Sequence, residues 1–211
     1  MKQLIIIGAR GFGREVYSLA KRSIGYNEDF VMKGFLDDKL DALDEFSNYP
    51  SILGSVEDYE IKSDDVFICA LGSTKWKKHY VEIILSKGGV FINLIDKTVV
   101  FNENVILGNG CILCEHVIIS NDIVINDFVT IHPFTNFGHD VSIGSYINIG
   151  AHCFVGGYTI IEDGVSIHAK ATILDRLKIS ENAIIGIGSV VLRNVKSGIT
   201  VFGNPAKKIE F

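Results

Sequence analysis

The chain has 211 residues, 47% of them hydrophobic and 21% charged, with 20 basic and 25 acidic residues and a net charge of −5. This balance excludes a disordered chain, and an acidic total without Lys/Arg clusters argues against nucleic acid or an anionic membrane as the main partner. A folded protein of one or two domains acting on a small soluble ligand is left.

The first apolar run, Leu4 to Ile7, is too short for a signal-peptide core, and no apolar stretch is long enough to span a bilayer, so a cytoplasmic location is expected. Four cysteines are too few for a disulfide scaffold. The lone CxxC of Cys111 and Cys114 has no second pair to complete a zinc site, so no metal is expected.

In chain order, Leu4–Ile7, Phe30–Leu36, Val66–Leu71 and Val90–Leu94 read as buried strands. Arg14–Lys21 and Lys75–Ser86 read as helices, the second ended by Gly88-Gly89, and the acid-rich stretch from Asp37 to Glu45 reads as a loop. Residues 1–94 are therefore expected to form a small Rossmann-like α/β domain that packs directly on the C-terminal part of the chain, since no Pro-rich linker intervenes. The segment GARGFGRE puts Gly8, Gly11 and Gly13 between the first strand and the first helix, where backbone N–H groups can receive a diphosphate. Its spacing, G-x-x-G-x-G, differs from the G-x-G-x-x-G of dinucleotide sites, and no second mononucleotide half exists to hold a nicotinamide. FLDDK supplies Asp37 and Asp38 at the second strand end, and ALGSTKWKK supplies Gly72, Ser73 and Lys75 at the third. All three segments converge on the carboxyl rim of a parallel sheet, the place where such sheets bind ligands. A solvated acidic loop and an ordinary helix start are the competing reading.

From Ile95 every sixth residue is apolar: Ile95, Phe101, Leu107, Leu113, Ile119 and so on to Ile185 and Val191, seventeen positions without a polar interruption. At the chain's hydrophobic content such a run arises by chance on the order of a few times in a million. Two positions earlier lies a smaller or β-branched set, among them Val117, Thr135, Cys153, Thr159 and Ala171, expected to face inward too. A period of six fits neither a helix nor one long strand; it predicts short strands and turns wound into a three-faced prism, with eighteen residues per coil. Glycine directly after the apolar residue, at Gly108, Gly138, Gly144, Gly150, Gly156 and Gly186, is expected to mark corners with positive φ. The pattern resembles the hexapeptide-repeat, left-handed parallel β-helix of acyltransferases. The left hand is implied by that resemblance alone, because parallel crossovers in general favour the right hand. Residues 95–211 are thus expected to be an all-β left-handed β-helix with a C-terminal tail, about five turns long.

GARGFG, FLDDK, ALGSTKWKK and NLIDK, the uninterrupted hexapeptide region and the terminal VFGNPAKKI together resemble the bacterial sialic acid O-acetyltransferase and UDP-amino-sugar N-acetyltransferase family. The resemblance covers nearly the whole chain, with Phe12 where the family loop often has His. It implies a nucleotide-sugar on the first domain, acetyl-CoA on the prism, and a homotrimer with active sites in the clefts between subunits.

Acetyl transfer from a thioester needs a base for the acceptor proton and donors for the developing oxyanion. His139 follows Gly138 at a corner, and eighteen residues on stands Gly157, one coil away at about 4.8 Å. By the resemblance His139 is the general base, Asp140 orients or polarises it, and Gly157, preceded by Gly156, gives a backbone N–H to the acetyl carbonyl. His132 and Asn148 are implied as acceptor-pocket residues. His116 and His152 lie two coils apart, too far to share a metal ion. Cys153 falls in the inward set and is expected to pack rather than carry the acetyl group. The first reading is N-acetylation of a nucleotide-linked 4-amino-sugar for surface-glycan synthesis. The alternatives are O-acetylation of sialic acid and a non-catalytic trimeric scaffold that binds nucleotide-sugar; a nucleotidyltransferase needs a larger first domain.

Overall fold

The computed structural model describes residues 1–209, in two compact units that divide between Lys97 and Thr98. The first unit is a parallel sheet in the order β2-β1-β3, made of β1 (Lys2–Ile7), β2 (Phe30–Leu36) and β3 (Asp65–Cys69). Helices α1 (Gly11–Ala20) and α2 (Thr74–Ser86) connect and cover it. Burial on both faces explains why Leu4–Ile7 and Val66–Cys69 read as unbroken apolar runs. With β1 in the centre and the chain crossing to opposite sides, the carboxyl end of β1 is the switch point of the sheet.

Val90–Leu94 departs from expectation. Only a single bridge, Phe67 to Phe91, joins it to β3, and the next strand is the two-residue β4 (Leu94–Ile95). The buried residues there, Phe91 and Leu94, are three apart while Val90 is 58% exposed, so the segment has apolar content without strand alternation.

The second unit is a coil of two-residue strands. One face stacks Val100–Phe101, Ile118–Ile119, Asn136–Phe137, Phe154–Val155, Thr172–Ile173 and Val190–Val191, all parallel and each paired with the residue eighteen positions on. The other two faces repeat that step, as in Ser142↔Ile160 and Thr130↔Asn148. From Leu113 to Val191 the hexad residues are 0–3% exposed, and the set two positions earlier, from Val117 to Ser189, is 0–2% exposed except at the half-buried Leu177. Phe101 is 39% exposed, because a residue in the first coil has a neighbouring layer on one side only. After Val191 the step shortens: Ile184 pairs with Thr200 and Ile179 with Val195, sixteen residues on. Thr200–Phe202 then pairs antiparallel with Lys207–Lys208, which ends the ladder.

The corner glycines are a correction. Positive φ does not fall at Gly108, Gly138, Gly144, Gly150, Gly156 or Gly186; it falls two residues later in each repeat, from Asn104 through His116, Phe128, Asp140, Tyr158 and Arg176 to Gly188, and there mostly on non-glycine residues. The glycines after the apolar residue answer a different demand. A methyl on Gly150 or Gly156 would overlap the amide nitrogen of Ala169 or Asp175 in the next coil, and one on Gly138 would stand 2.7 Å from Gly157 N. The coils are simply too close there for a side chain. Gly150→Ala is therefore expected to cost roughly 1–3 kcal/mol of stability, as overpacking does. Gly150→Asn should be no better, although Asn tolerates positive φ; rescue by Asn in thermal unfolding would restore the φ explanation.

Candidate functional sites on the two units

On the first unit a cavity of about 400 Å³ opens at the carboxyl ends of β1, β2 and β3. Its lining includes Gly8, Gly13, Asp37, Asp38, Gly72 and Ser73, gathered as the sequence implies; Gly11 and Lys75 lie outside it. Trp76, Tyr80 and Arg10 also line it. The first two sit one helical turn apart on α2, at three and seven residues after the cap residue Ser73, a spacing that is readable in the sequence.

The residues do different work. Gly8 has φ +96°, and a methyl on Gly13 would overlap the Gly8 carbonyl oxygen, so both are required for the turn and for packing α1 onto β1. Gly11 and Gly72 have open space around the missing side chain and no unusual φ. Asp37 is a brace: its Oδ2 accepts the Ala9 N–H at 2.9 Å and its Oδ1 the Lys39 N–H at 2.9 Å, which ties the glycine turn to the end of β2. Asp38 accepts a hydrogen bond from the Tyr80 hydroxyl. That bond to a carboxylate, helped by burial, pushes the Tyr80 phenol up to about 12, so it stays protonated. The N-cap of α1, Arg10, makes no side-chain capping bond and the first turn carries no acidic residue; the Asp37 carboxylate, on the Ala9 N–H and 4.0 Å from Arg10 Nε, stands at this end of the helix beside the cavity.

These contrasts set an expectation for binding. If the cavity takes a nucleotide, Gly72→Ala should leave the melting temperature unchanged and weaken UDP, dTDP or GDP binding about tenfold in calorimetry, because a methyl there meets no protein atom and narrows the cavity. Gly13→Ala should lower the melting temperature instead. Unaltered affinity in a folded Gly72→Ala protein would remove the cavity from nucleotide binding.

On the second unit His139 and Asp140 stand at the corner after Asn136–Phe137. His139 Nδ1 lies 2.6 Å from Asp140 Oδ2. A carboxylate only accepts, so Nδ1 carries the ring proton and Nε2 presents a lone pair when the imidazole is neutral. Gly157 is in the next coil: its missing methyl would lie 3.3 Å from His139 Cε1, 3.4 Å from Nε2 and 3.0 Å from the His139 carbonyl oxygen. Among the described residues no acceptor pairs with the Gly157 N–H, whereas the Gly156 N–H is used in the ladder, donating to Ile173 O at 2.9 Å. Gly156 thus serves coil contact, and Gly157, beside the His139 imidazole, keeps its N–H without an acceptor among the described residues.

Two neighbours escape the reading of the sequence although the eighteen-residue step points to them. Tyr158, eighteen after Asp140, stands perpendicular to the His139 ring at 5.1 Å, and the Arg176 guanidinium, eighteen further, lies 4.3 Å over the Tyr158 ring. His132 and Asn148 are elsewhere: His132 follows Thr130–Ile131 and Asn148 is buried in the strand paired with it, on a different face from Asn136–Phe137. Within one chain they do not gather with His139. His116 and His152 stack on either side of Phe134, at 4.9 Å each. Cys153 faces the core at 2% exposure with Sγ 3.2 Å from His168 O, and burial pushes its thiol up to about 11.

Known proteins share this architecture. Residues 3–84 match the PglD N-terminal domain family. WeeI from Acinetobacter baumannii AYE is 27% identical and superposes with a TM-score of 0.88 over 99% of this chain and 100% of that one. PerB from Caulobacter crescentus, solved in complex with CoA and GDP-perosamine, is 20% identical with a TM-score of 0.88 over 100% of this chain and 98% of that one. A curated relative, the 2,3,4,5-tetrahydropyridine-2,6-dicarboxylate N-acetyltransferase of Clostridium perfringens, is 47% identical over 51 residues, which is 24% of this chain and 22% of that protein. The match therefore spans about a fifth of the length of that relative. Residues 3–84 are thus similar to the PglD N-terminal domain, and the chain shares the two-part fold of WeeI and PerB, an α/β domain followed by a left-handed parallel β-helix.

Proposed function

We propose that the protein is an acetyl-CoA-dependent acetyltransferase that modifies the amino group of a nucleotide-linked 4-amino-sugar, in the cytoplasm and as a homotrimer, for surface-glycan synthesis. The observation that carries this reading is the corner where His139, held by Asp140 at 2.6 Å, stands against Gly157 of the next coil, whose N–H has no acceptor among the described residues. PerB, the neighbour solved with CoA and GDP-perosamine, supports the pairing of a thioester with a nucleotide-sugar. The cavity of the first domain, lined by the start of α1 at Arg10, Phe12 and Gly13, suits the nucleotide diphosphate. Because free sialic acid has no such group, the O-acetyltransferase reading leaves that cavity without a task.

In the reaction the amine nitrogen attacks the thioester carbonyl carbon, and the C–S bond then breaks. His139 Nε2 takes the proton that the attacking nitrogen gives up and passes it to the leaving sulfur, while Asp140 holds the ring in the Nδ1–H tautomer and stabilises the imidazolium. The Gly157 N–H receives the charge that develops on the carbonyl oxygen. Trimer formation is supported by the large apolar side chains that point outward on one flat face, Val100, Ile118 and Phe154, each 42–47% exposed.

Thiol release from acetyl-CoA in the presence of UDP-, dTDP- or GDP-linked 4-amino-sugars tests the reading. His139→Ala should lower turnover by about 10²–10⁴ with an unchanged melting temperature. Wild-type turnover in that variant would remove His139 from the mechanism. Cys153→Ser should keep turnover within about twofold, and mass spectrometry during turnover should show no acetyl-enzyme; a stable adduct on Cys153 would replace direct transfer by a covalent route.

A further inference from the structure

His139 is 57% exposed on its side chain, and Asp140 anchors it at Nδ1 alone. A single hydrogen bond leaves the imidazole free to swing about that contact, so the bond by itself does not aim Nε2 at the corner where Gly157 lies. A second constraint stands in the next coil. The Tyr158 ring meets the imidazole at 90° and 5.1 Å between centroids, within the range of a favourable edge-to-face pair. Tyr158 is itself held: its amide donates to the His139 carbonyl oxygen at 3.0 Å, and a face of its ring is covered by the Arg176 guanidinium at 4.3 Å. Arg176 in turn is steadied by Asp175, 3.5 Å from its Nε, and its amide donates to the Gly157 carbonyl oxygen at 2.8 Å.

Asp140, Tyr158 and Arg176 occupy the same left-handed corner position in three successive coils, with φ of 57°, 58° and 59°. Left-handed backbone is common to the corners of this unit and is not what sets the column apart. Its side chains are. Elsewhere the corresponding columns carry Phe128 stacked on Tyr146, or Phe134 between His116 and His152, near-parallel rings that rest on one another. Only beside His139, among the described aromatic contacts of this unit, does a ring turn perpendicular to its neighbour.

We propose that Tyr158, clamped by Arg176, is a positioning residue that fixes the tilt of the His139 imidazole and keeps Nε2 directed at the space beside the Gly157 N–H. Asp140 sets the tautomer and Tyr158 sets the angle. The inference rests on the reading of His139 as the base, and it concerns the ring rather than the hydroxyl of Tyr158.

The test compares Tyr158→Ala, Tyr158→Phe and Arg176→Ala by kinetics and by nitrogen NMR of the His139 imidazole in the protein without substrates. Tyr158→Ala should lower kcat about tenfold, the scale of a lost aromatic pair, with both KM values within about twofold of wild type. Tyr158→Phe should restore kcat, and Arg176→Ala should fall between. In the NMR experiment the Nδ1–H tautomer, set by Asp140, should dominate in every variant, with the imidazole resonances of Tyr158→Ala shifted and broadened because the ring is no longer held at one angle, and those of Tyr158→Phe as in the wild type. A Phe variant as impaired as Ala, a loss confined to KM, or an unaltered imidazole spectrum in Tyr158→Ala would each overturn the proposal. If the wild type transfers no acetyl group but the imidazole still loses its order in Tyr158→Ala, the positioning role stands and the acetyltransferase reading falls.

Discussion

The structure of the second unit depends on one backbone arrangement, the N–H that finds its carbonyl seventeen residues on. Ile118 N–H donates to Thr135 O, Asn136 N–H to Cys153 O and Phe154 N–H to Ala171 O, and a complementary set at the corners, such as Tyr158 N–H to His139 O, runs nineteen residues back. Together the two sets lock a coil of eighteen residues, and every chemical neighbour relation in the unit depends on it. Side chains contribute where the ladder leaves a carbonyl over. Thr135 Oγ1, Cys153 Sγ and Thr159 Oγ1 each reach the carbonyl fifteen residues ahead, at Gly150, His168 and Leu174, which accounts for polar residues in an otherwise apolar inner set.

That coil also explains why glycine clusters at the candidate acyl-transfer corner. Gly138 lies under the Gly157 amide, Gly156 under Asp175, and Gly157 against the His139 ring. Three demands of close approach meet at one corner, and their joint result is a backbone amide left bare beside an imidazole. In the first unit glycines divide in the same manner between those that the fold requires, Gly8 and Gly13, and those it does not, Gly11 and Gly72. Of the second kind, Gly72 lines the cavity and is the better pointer to a ligand, because no protein atom occupies the space it leaves.

The repeat is legible in the sequence because each coil must satisfy the same pair of layers, so the inner residue recurs from Leu113 to Val191 without exception. The neighbour relation of His139 and Gly157 comes from the same count. The position of positive φ is not legible: glycine is favoured both by left-handed backbone and by close contact, and sequence alone does not separate the two. Val90–Leu94 misleads because its apolar content matches that of a strand while its buried residues do not alternate. Tyr158 and Arg176 are one and two steps of eighteen along the column from Asp140, yet an exposed aromatic and an exposed cation carry no signal until the column that joins them is drawn. Asp37, by sequence a candidate ligand carboxylate, commits both its oxygens to backbone amides, a role that only the structure reveals.

The most direct measurement is a crystal structure of the protein with a non-hydrolysable acetyl-CoA analogue and its nucleotide-linked amino-sugar. The account predicts the acyl carbonyl oxygen about 2.7–3.1 Å from Gly157 N and the amine within hydrogen-bond reach of His139 Nε2. An acyl group bound at another corner of the prism, with Gly157 N–H facing water, would contradict it.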